Sequence, residues 1–267
     1  MKPIIAATIA ALFVLPASAQ TPAAPYSEPG PYKVDNSQEG PGCHIFRPAD
    51  LGGRQHPIIL WGNGTRSMVP AYSPMLRQWA SYGFVVAAAL TNSAGSGKPL
   101  LDCLDHLTAE NGRVGSPLKG ALDLKHVGAS GHSQGGGGAI MAARDPRITA
   151  TAPIQAYTLG LGYEAGAEAR QHGPMLLLSG GADVTATPER NQAPVFAGAN
   201  VPVVWATANG SGHSAPANGD NGPYRPATTA WFLYQLKDDA NAAAMFKGEA
   251  CGYCADPGWT IQKKGAE

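Results

Sequence analysis

The pentapeptide Gly131-His132-Ser133-Gln134-Gly135 stands between the apolar run Val127-Gly128-Ala129-Ser130 and the small-residue stretch Gly136-Gly137-Gly138-Ala139-Ile140-Met141. A G-x-S-x-G sequence on a sharp strand-to-helix turn lifts a serine hydroxyl off the sheet edge, and glycines flank it because side chains there would collide with strand and helix. Ser133 is the expected nucleophile, the alternative being an ordinary glycine-rich turn. A serine hydroxyl needs a base near neutral pH, and the base needs a carboxylate to fix its tautomer. In a fold of this kind both follow the serine, the acid first and the histidine second, each in a loop after a later strand.

Both are present in that order. The run Pro174-Met175-Leu176-Leu177-Leu178-Ser179 reads as a buried strand and breaks at Gly180-Gly181-Ala182-Asp183, which sets Asp183 just past a strand end. A second run, Val201-Pro202-Val203-Val204-Trp205-Ala206, leads to the loop Asn209-Gly210-Ser211-Gly212-His213-Ser214. His213 is the expected base among seven histidines. His44, His56, His106, His126 and His172 precede strands or lie in a helix pattern and are read as structural. His132 is read the same way, because neighbours on a tight turn diverge and rarely bond side chain to side chain.

The tetrahedral intermediate of acyl transfer also needs two donors for its oxyanion. One is expected from the amide of Gln134, at the positive end of the helix that the serine opens. The other is expected from the loop after an early strand, here Trp61-Gly62-Asn63-Gly64-Thr65 following Pro57-Ile58-Ile59-Leu60. Gly64 is the residue chosen, with Asn63 and Thr65 as alternatives, since sequence does not fix the register of such a loop.

These residues must be carried by alternating strands and helices. The segment from Thr21 to Gly42 is rich in proline and glycine and reads as an irregular arm. Ser73-Pro74 looks like a helix start, with Met75, Leu76, Trp79 and Tyr82 at helical spacing until Gly83. Phe84 to Leu90 is a buried strand, and Leu100, Leu101, Leu104 and Leu107 mark a second helix. Ala150-Thr151-Ala152-Pro153-Ile154 is a strand after the nucleophile helix, and the segment from Ala227 to Leu236 is an apolar helix with a short one beyond it. Such alternation predicts an α/β fold with a mostly parallel sheet covered on both faces, in a single domain spanning residues 20–267.

These motifs resemble the α/β-hydrolase superfamily and, within it, the cutinase-like and dienelactone-hydrolase-like polyester hydrolases that include bacterial PET hydrolases. The likeness runs from about Cys43 to the C-terminal helices. It implies serine carboxylester hydrolysis with no metal or organic cofactor. Members of that branch typically carry methionine where this chain has Gln134, tryptophan where it has Tyr157, and a glycine followed by an aromatic where it has Gly62-Asn63-Gly64-Thr65. The cleft is therefore expected to be more polar, with a small soluble ester or natural polymer as plausible a substrate as an aromatic polyester. Tyr157 is expected to wall the acyl side of the cleft, or else to pack under the loop that follows it.

Composition narrows the function classes. With 19 basic and 19 acidic side chains the chain is formally neutral, which argues against nucleic acid or an anionic membrane as partner. Lys2, the apolar stretch from Ile4 to Leu15 and Ala17-Ser18-Ala19 read as a secretory signal over residues 1–19, cleaved near Ala19, and that stretch is too short to serve as a membrane anchor. The mature protein is expected to be secreted or periplasmic, where disulfides form. Of four cysteines, Cys251 and Cys254 read as a local disulfide, leaving Cys43 to pair with Cys103, although three pairings are possible in principle. Gly95-Ser96-Gly97-Lys98 lacks the residues of a phosphate loop and reads as a surface loop. Asp102, Asp105, Glu110 and Asp123 lack metal-ligand spacing. The other function classes compatible with the motifs are a non-catalytic polymer or carbohydrate binder, a peptidase and an acyltransferase. Sequence does not fix the oligomeric state.

Overall fold

Alternation along the central strands decides the layering. Ile58 and Leu60 fall in one hydrophobic cluster while Ile59 and Trp61 fall in another, so a fully buried strand faces helices on both sides. The structure, a computed structural model, describes residues 25–40 and 42–266. The leader expected over residues 1–19 lies outside the described residues.

One nine-stranded sheet organises the chain. Strands β1 (Val34–Glu39) and β2 (Cys43–Pro48) pair antiparallel at one edge, and β2 runs antiparallel to β4 (Val85–Ala89). From β4 the sheet continues parallel through β3 (His56–Gly62), β5 (Leu122–His132), β6 (Ala150–Ile154), β7 (Met175–Gly180) and β8 (Val203–Ala208). Antiparallel β9 (Trp259–Lys264) closes the far edge. Helices α1 (Ser73–Ser81), α5 (Tyr224–Lys237) and α6 (Ala240–Ala243) share a cluster with Ile59, Trp61, Val86 and Leu178 on one face. Helices α2 (Lys98–Gly112), α3 (Gln134–Ala142) and α4 (Pro188–Gly198) pack on the other. This is a mostly parallel sheet covered on both faces, an α/β-hydrolase fold.

Two elements differ from the sequence reading. The proline- and glycine-rich arm contains β1, whose one aliphatic residue, Val34, gives no alternating signal; its pairing with β2 supplies the order. β9 was not expected either, although Trp259 and Ile261 recur at a spacing of two.

Cys43 on β2 is bonded to Cys103 on α2 across 60 residues, and Cys251 to Cys254 across three; no described cysteine is free. By loop-closure entropy the long bridge is worth about 4 kcal/mol and the short one about 2. No helix among the described residues is long and apolar enough to cross a membrane.

Candidate active site

The parallel strands deliver the chemistry-bearing loops to one edge. Ser133 sits between β5 and α3 with φ 54° and ψ −119°, a conformation costly for a residue with a side chain. The surrounding backbone enforces it. A Cβ at Gly131 would collide with the Gly135 carbonyl, and one at Gly135 with the Gly62 carbonyl, so only glycines let the turn pack against the end of β3. Ser133 donates its amide to the Ile154 carbonyl at 3.0 Å and accepts from the amides of Gly137 at 3.0 Å and Tyr157 at 2.9 Å.

Ser133 Oγ lies 2.9 Å from His213 Nε2, and His213 Nδ1 lies 2.7 Å from Asp183 Oδ2. The other Asp183 oxygen accepts from the amides of Thr185 at 2.8 Å and Ala186 at 2.9 Å. Burial by itself would raise the Asp183 pKa, but the His213 hydrogen bond and the two amides outweigh it and hold the carboxyl below its ordinary range. The carboxylate is thus charged at neutral pH. It accepts from His213 Nδ1–H, which leaves Nε2 as an acceptor facing the serine hydroxyl. Ser133 and Asp183 are buried and the His213 side chain is partly exposed, so the three groups meet just beneath the protein surface.

The loop after β3 departs from expectation. The Gly64 amide donates to Tyr72 Oη at 3.2 Å and is therefore committed elsewhere. Asn63, one of the alternatives, is buried and held by its side chain. Its side chain accepts from Trp61 Nε1 and donates to the carbonyls of Ala89 and Thr91, pinning the residue, and its own carbonyl lies against Gly135 at the start of α3. The Gln134 amide opens α3, where the first N–H groups have no partner within the helix. Its side chain donates to the Leu161 carbonyl at 3.2 Å.

Tyr157 lies three residues past β6, half-buried, and the loop after it exposes Leu159 and Leu161. That loop rests on Gly95, where a Cβ would collide with the Leu161 carbonyl; within Gly95-Ser96-Gly97-Lys98 the two glycines are buried while Ser96 and Lys98 are exposed. Asp102, Asp105 and Glu110 form ion pairs with Lys98, Arg147 and Arg113, and Asp123 is hydrogen-bonded to His126 Nδ1.

Sequence reasoning missed the groups behind the histidine loop. Gln155, at φ 44°, donates to the Gly212 carbonyl at 3.0 Å and to Tyr224 Oη at 2.9 Å, and Tyr224 donates to the Ser179 carbonyl at 3.2 Å. Tyr72 Oη meets His132 Nδ1 at 2.9 Å, and His132 Nε2 meets the His213 carbonyl at 2.9 Å. His132 indeed does not bond to its neighbour's side chain. It bonds to the main chain of a residue 81 positions away, for which the sequence held no signal.

A family model described as PETase, PET hydrolase-like, matches residues 17–249. A bis(hydroxyethyl) terephthalate hydrolase of Streptomyces coelicolor (strain ATCC BAA-471 / A3(2) / M145) is 26% identical over 225 residues, 79% of this chain and 69% of that protein.

Proposed function

The chain belongs to the PET hydrolase-like family, and from that premise we propose that it is a secreted serine carboxylester hydrolase working through Ser133, His213 and Asp183. The observation that carries the reading is the continuous hydrogen-bonded line from Ser133 Oγ through both His213 nitrogens to the Asp183 carboxylate. His213 takes the Ser133 proton as Oγ attacks the ester carbonyl. The amides of Gln134 and Asn63 receive the oxyanion. The protonated His213 gives its proton to the departing alkoxide, leaving an acyl-serine, and then deprotonates the water that hydrolyses it. Asp183 holds the tautomer throughout and stabilises the imidazolium.

The substrate class is an aromatic or otherwise apolar ester. The named relative hydrolyses bis(hydroxyethyl) terephthalate. Met68, Leu159, Leu161 and Val184 are four of the five large apolar side chains exposed among the described residues, and they sit on loops that follow the parallel strands β3, β6 and β7, at the same sheet edge as the triad loops. Tyr157 supplies one wall of the acyl side. Residues 20–267 act as one catalytic domain after loss of residues 1–19, and paired cysteines fit an oxidising compartment.

A turnover panel of the mature protein on bis(hydroxyethyl) terephthalate and on short aliphatic p-nitrophenyl esters tests this reading. Wild type is expected to hydrolyse both, and Ser133→Ala to lose kcat by roughly 10³- to 10⁶-fold. Tyr157→Ala is expected to raise KM for the aromatic ester well above its effect on acetate. Wild-type turnover in Ser133→Ala would overturn the triad assignment, and an unchanged KM ratio in Tyr157→Ala would remove that residue from the cleft.

A further inference from the structure

Behind the Ser133–His213 pair lies a chain of hydrogen bonds that runs in one direction. His132 is 4% exposed, and its Nε2 is 2.9 Å from the carbonyl oxygen of His213. A carbonyl only accepts, so Nε2 carries the ring proton. Burial, reinforced by the charge His213 can carry, pushes the His132 pKa down to about 3, so the ring holds one proton at neutral pH. Nδ1 is then a lone pair, and the Tyr72 hydroxyl 2.9 Å away donates to it. Burial raises the Tyr72 pKa, which keeps that hydroxyl protonated. Tyr72 Oη in turn accepts from the Gly64 amide at 3.2 Å. The order is Gly64 N–H to Tyr72, Tyr72 O–H to His132, and His132 Nε2–H to the His213 carbonyl.

The histidine loop needs such an anchor. It reads Asn209-Gly210-Ser211-Gly212-His213, with Gly210 at φ 78°, and none of these residues is fully buried. The His213 ring is held at Nδ1 by Asp183, which leaves the Cα end to be fixed. Gln155 holds the preceding carbonyl, that of Gly212, and His132 holds that of His213 itself. The two imidazoles also touch, with ring centroids 4.9 Å apart.

We propose that His132 is a positioning residue: through its hydrogen bond to the His213 carbonyl it sets the base against Ser133, and through Tyr72 it ties that loop to the oxyanion loop after β3. The proposal rests on the Ser133–His213–Asp183 reading. Ground-state ester binding uses none of these buried bonds, so their loss affects kcat and spares KM.

The test compares wild type, Ser133→Ala, His132→Phe, His132→Gln and Tyr72→Phe by ester kinetics, by the rate of inactivation with diethyl p-nitrophenyl phosphate, and by circular dichroism. His132→Phe keeps a flat ring but can neither donate nor accept. It is expected to lower kcat and the inactivation rate together by about 10- to 100-fold, the scale of misplacing a catalytic group by a fraction of an ångström to an ångström, with KM within about twofold. His132→Gln returns a neutral donor at similar reach and is expected to recover most of the loss. A folded His132→Phe with wild-type kcat would overturn the proposal, as would equal losses in His132→Phe and His132→Gln, which would point to ring packing alone. Should His132→Phe fail to fold, Tyr72→Phe decides: a lowered kcat at constant KM supports the proposal, and wild-type kinetics overturn it. Ser133→Ala separates the two readings. If it retains turnover the triad itself is wrong, whereas an inactive Ser133→Ala beside a fully active His132→Phe removes only the role of His132.

Discussion

The nucleophile and its base are held in place by opposite means. Ser133 is fixed by main chain: a strand end, a helix start, a positive φ, and glycines at 62, 131 and 135 that let three backbone segments touch. His213 is fixed by side chains that reach across the fold, from Asp183, His132 and Gln155, with Tyr72 and Tyr224 behind them. A main-chain site is encoded by neighbours in sequence and tolerates no added atom. A site braced by side chains is encoded over the whole chain, and its parts can be removed one by one.

Asp183→Asn probes the braced half most severely. The amides of Thr185 and Ala186 can still hold an oxygen at this position, so the loop stays put, but an amide cannot fix the productive tautomer of His213. A loss of about 10⁴-fold in kcat is expected, with a far smaller change in melting temperature. Steady-state kinetics beside a thermal melt would break the comparison if activity and stability fell together. Gly135→Ala makes the opposite test. Its methyl would have to occupy the space of the Gly62 carbonyl, so the main-chain half should lose fold and function at once. The expected destabilisation is about 4 kcal/mol or more, read from denaturant midpoints; a stable Gly135→Ala variant would show that the turn is less rigid than its packing implies.

The smallest expected effect concerns acid. Burial holds the His132 pKa near 3 in the folded chain, against about 6.5 in an unfolded one. Above pH 6.5 the ring is neutral in both states and its contribution is complete. As pH falls from 6.5 towards 3 the unfolded chain takes up a proton that the folded chain refuses, so stability is lost on the way down. Between pH 6.5 and 4.5 that loss amounts to about 2–3 kcal/mol. Asp183 adds its own loss only below its ordinary range near pH 4, and His44, also lowered by burial, contributes alike to wild type and variant and so cancels in their comparison. Unfolding curves of wild type and His132→Gln should diverge there, the variant losing less stability with acid; parallel curves would mean that His132 is not kept neutral by the fold.

The same contrast governs what the sequence revealed. The elbow was legible because its glycines, its apolar strand and its small-residue helix are contiguous. Asp183 and His213 were legible because each follows a buried run that ends in glycines. The bond from the Gly64 amide to Tyr72 was not legible, since nothing near Gly64 in sequence tells that a tyrosine eight positions on takes up its amide. His132 was weighed only against its neighbour's side chain, and its partner lay on the main chain 81 residues away. Gln155 and Tyr224 gave no signal, because a buried glutamine and tyrosine look like any others until their partners are in place. β1 escaped for the same reason: Val34–Glu39 is ordered by its pairing with β2 and not by a pattern of its own.

The central claim is that Ser133 is the nucleophile of an ester hydrolase. The most direct measurement is covalent labelling with diethyl p-nitrophenyl phosphate, in which Ser133 Oγ forms the bond to phosphorus and p-nitrophenolate leaves. Peptide mapping should find one diethylphosphoryl group per chain, on the peptide that contains Ser133, with ester turnover falling in proportion to labelling and no adduct on Ser133→Ala. Complete inactivation with Ser133 unlabelled, or full turnover with Ser133 labelled, would contradict the account.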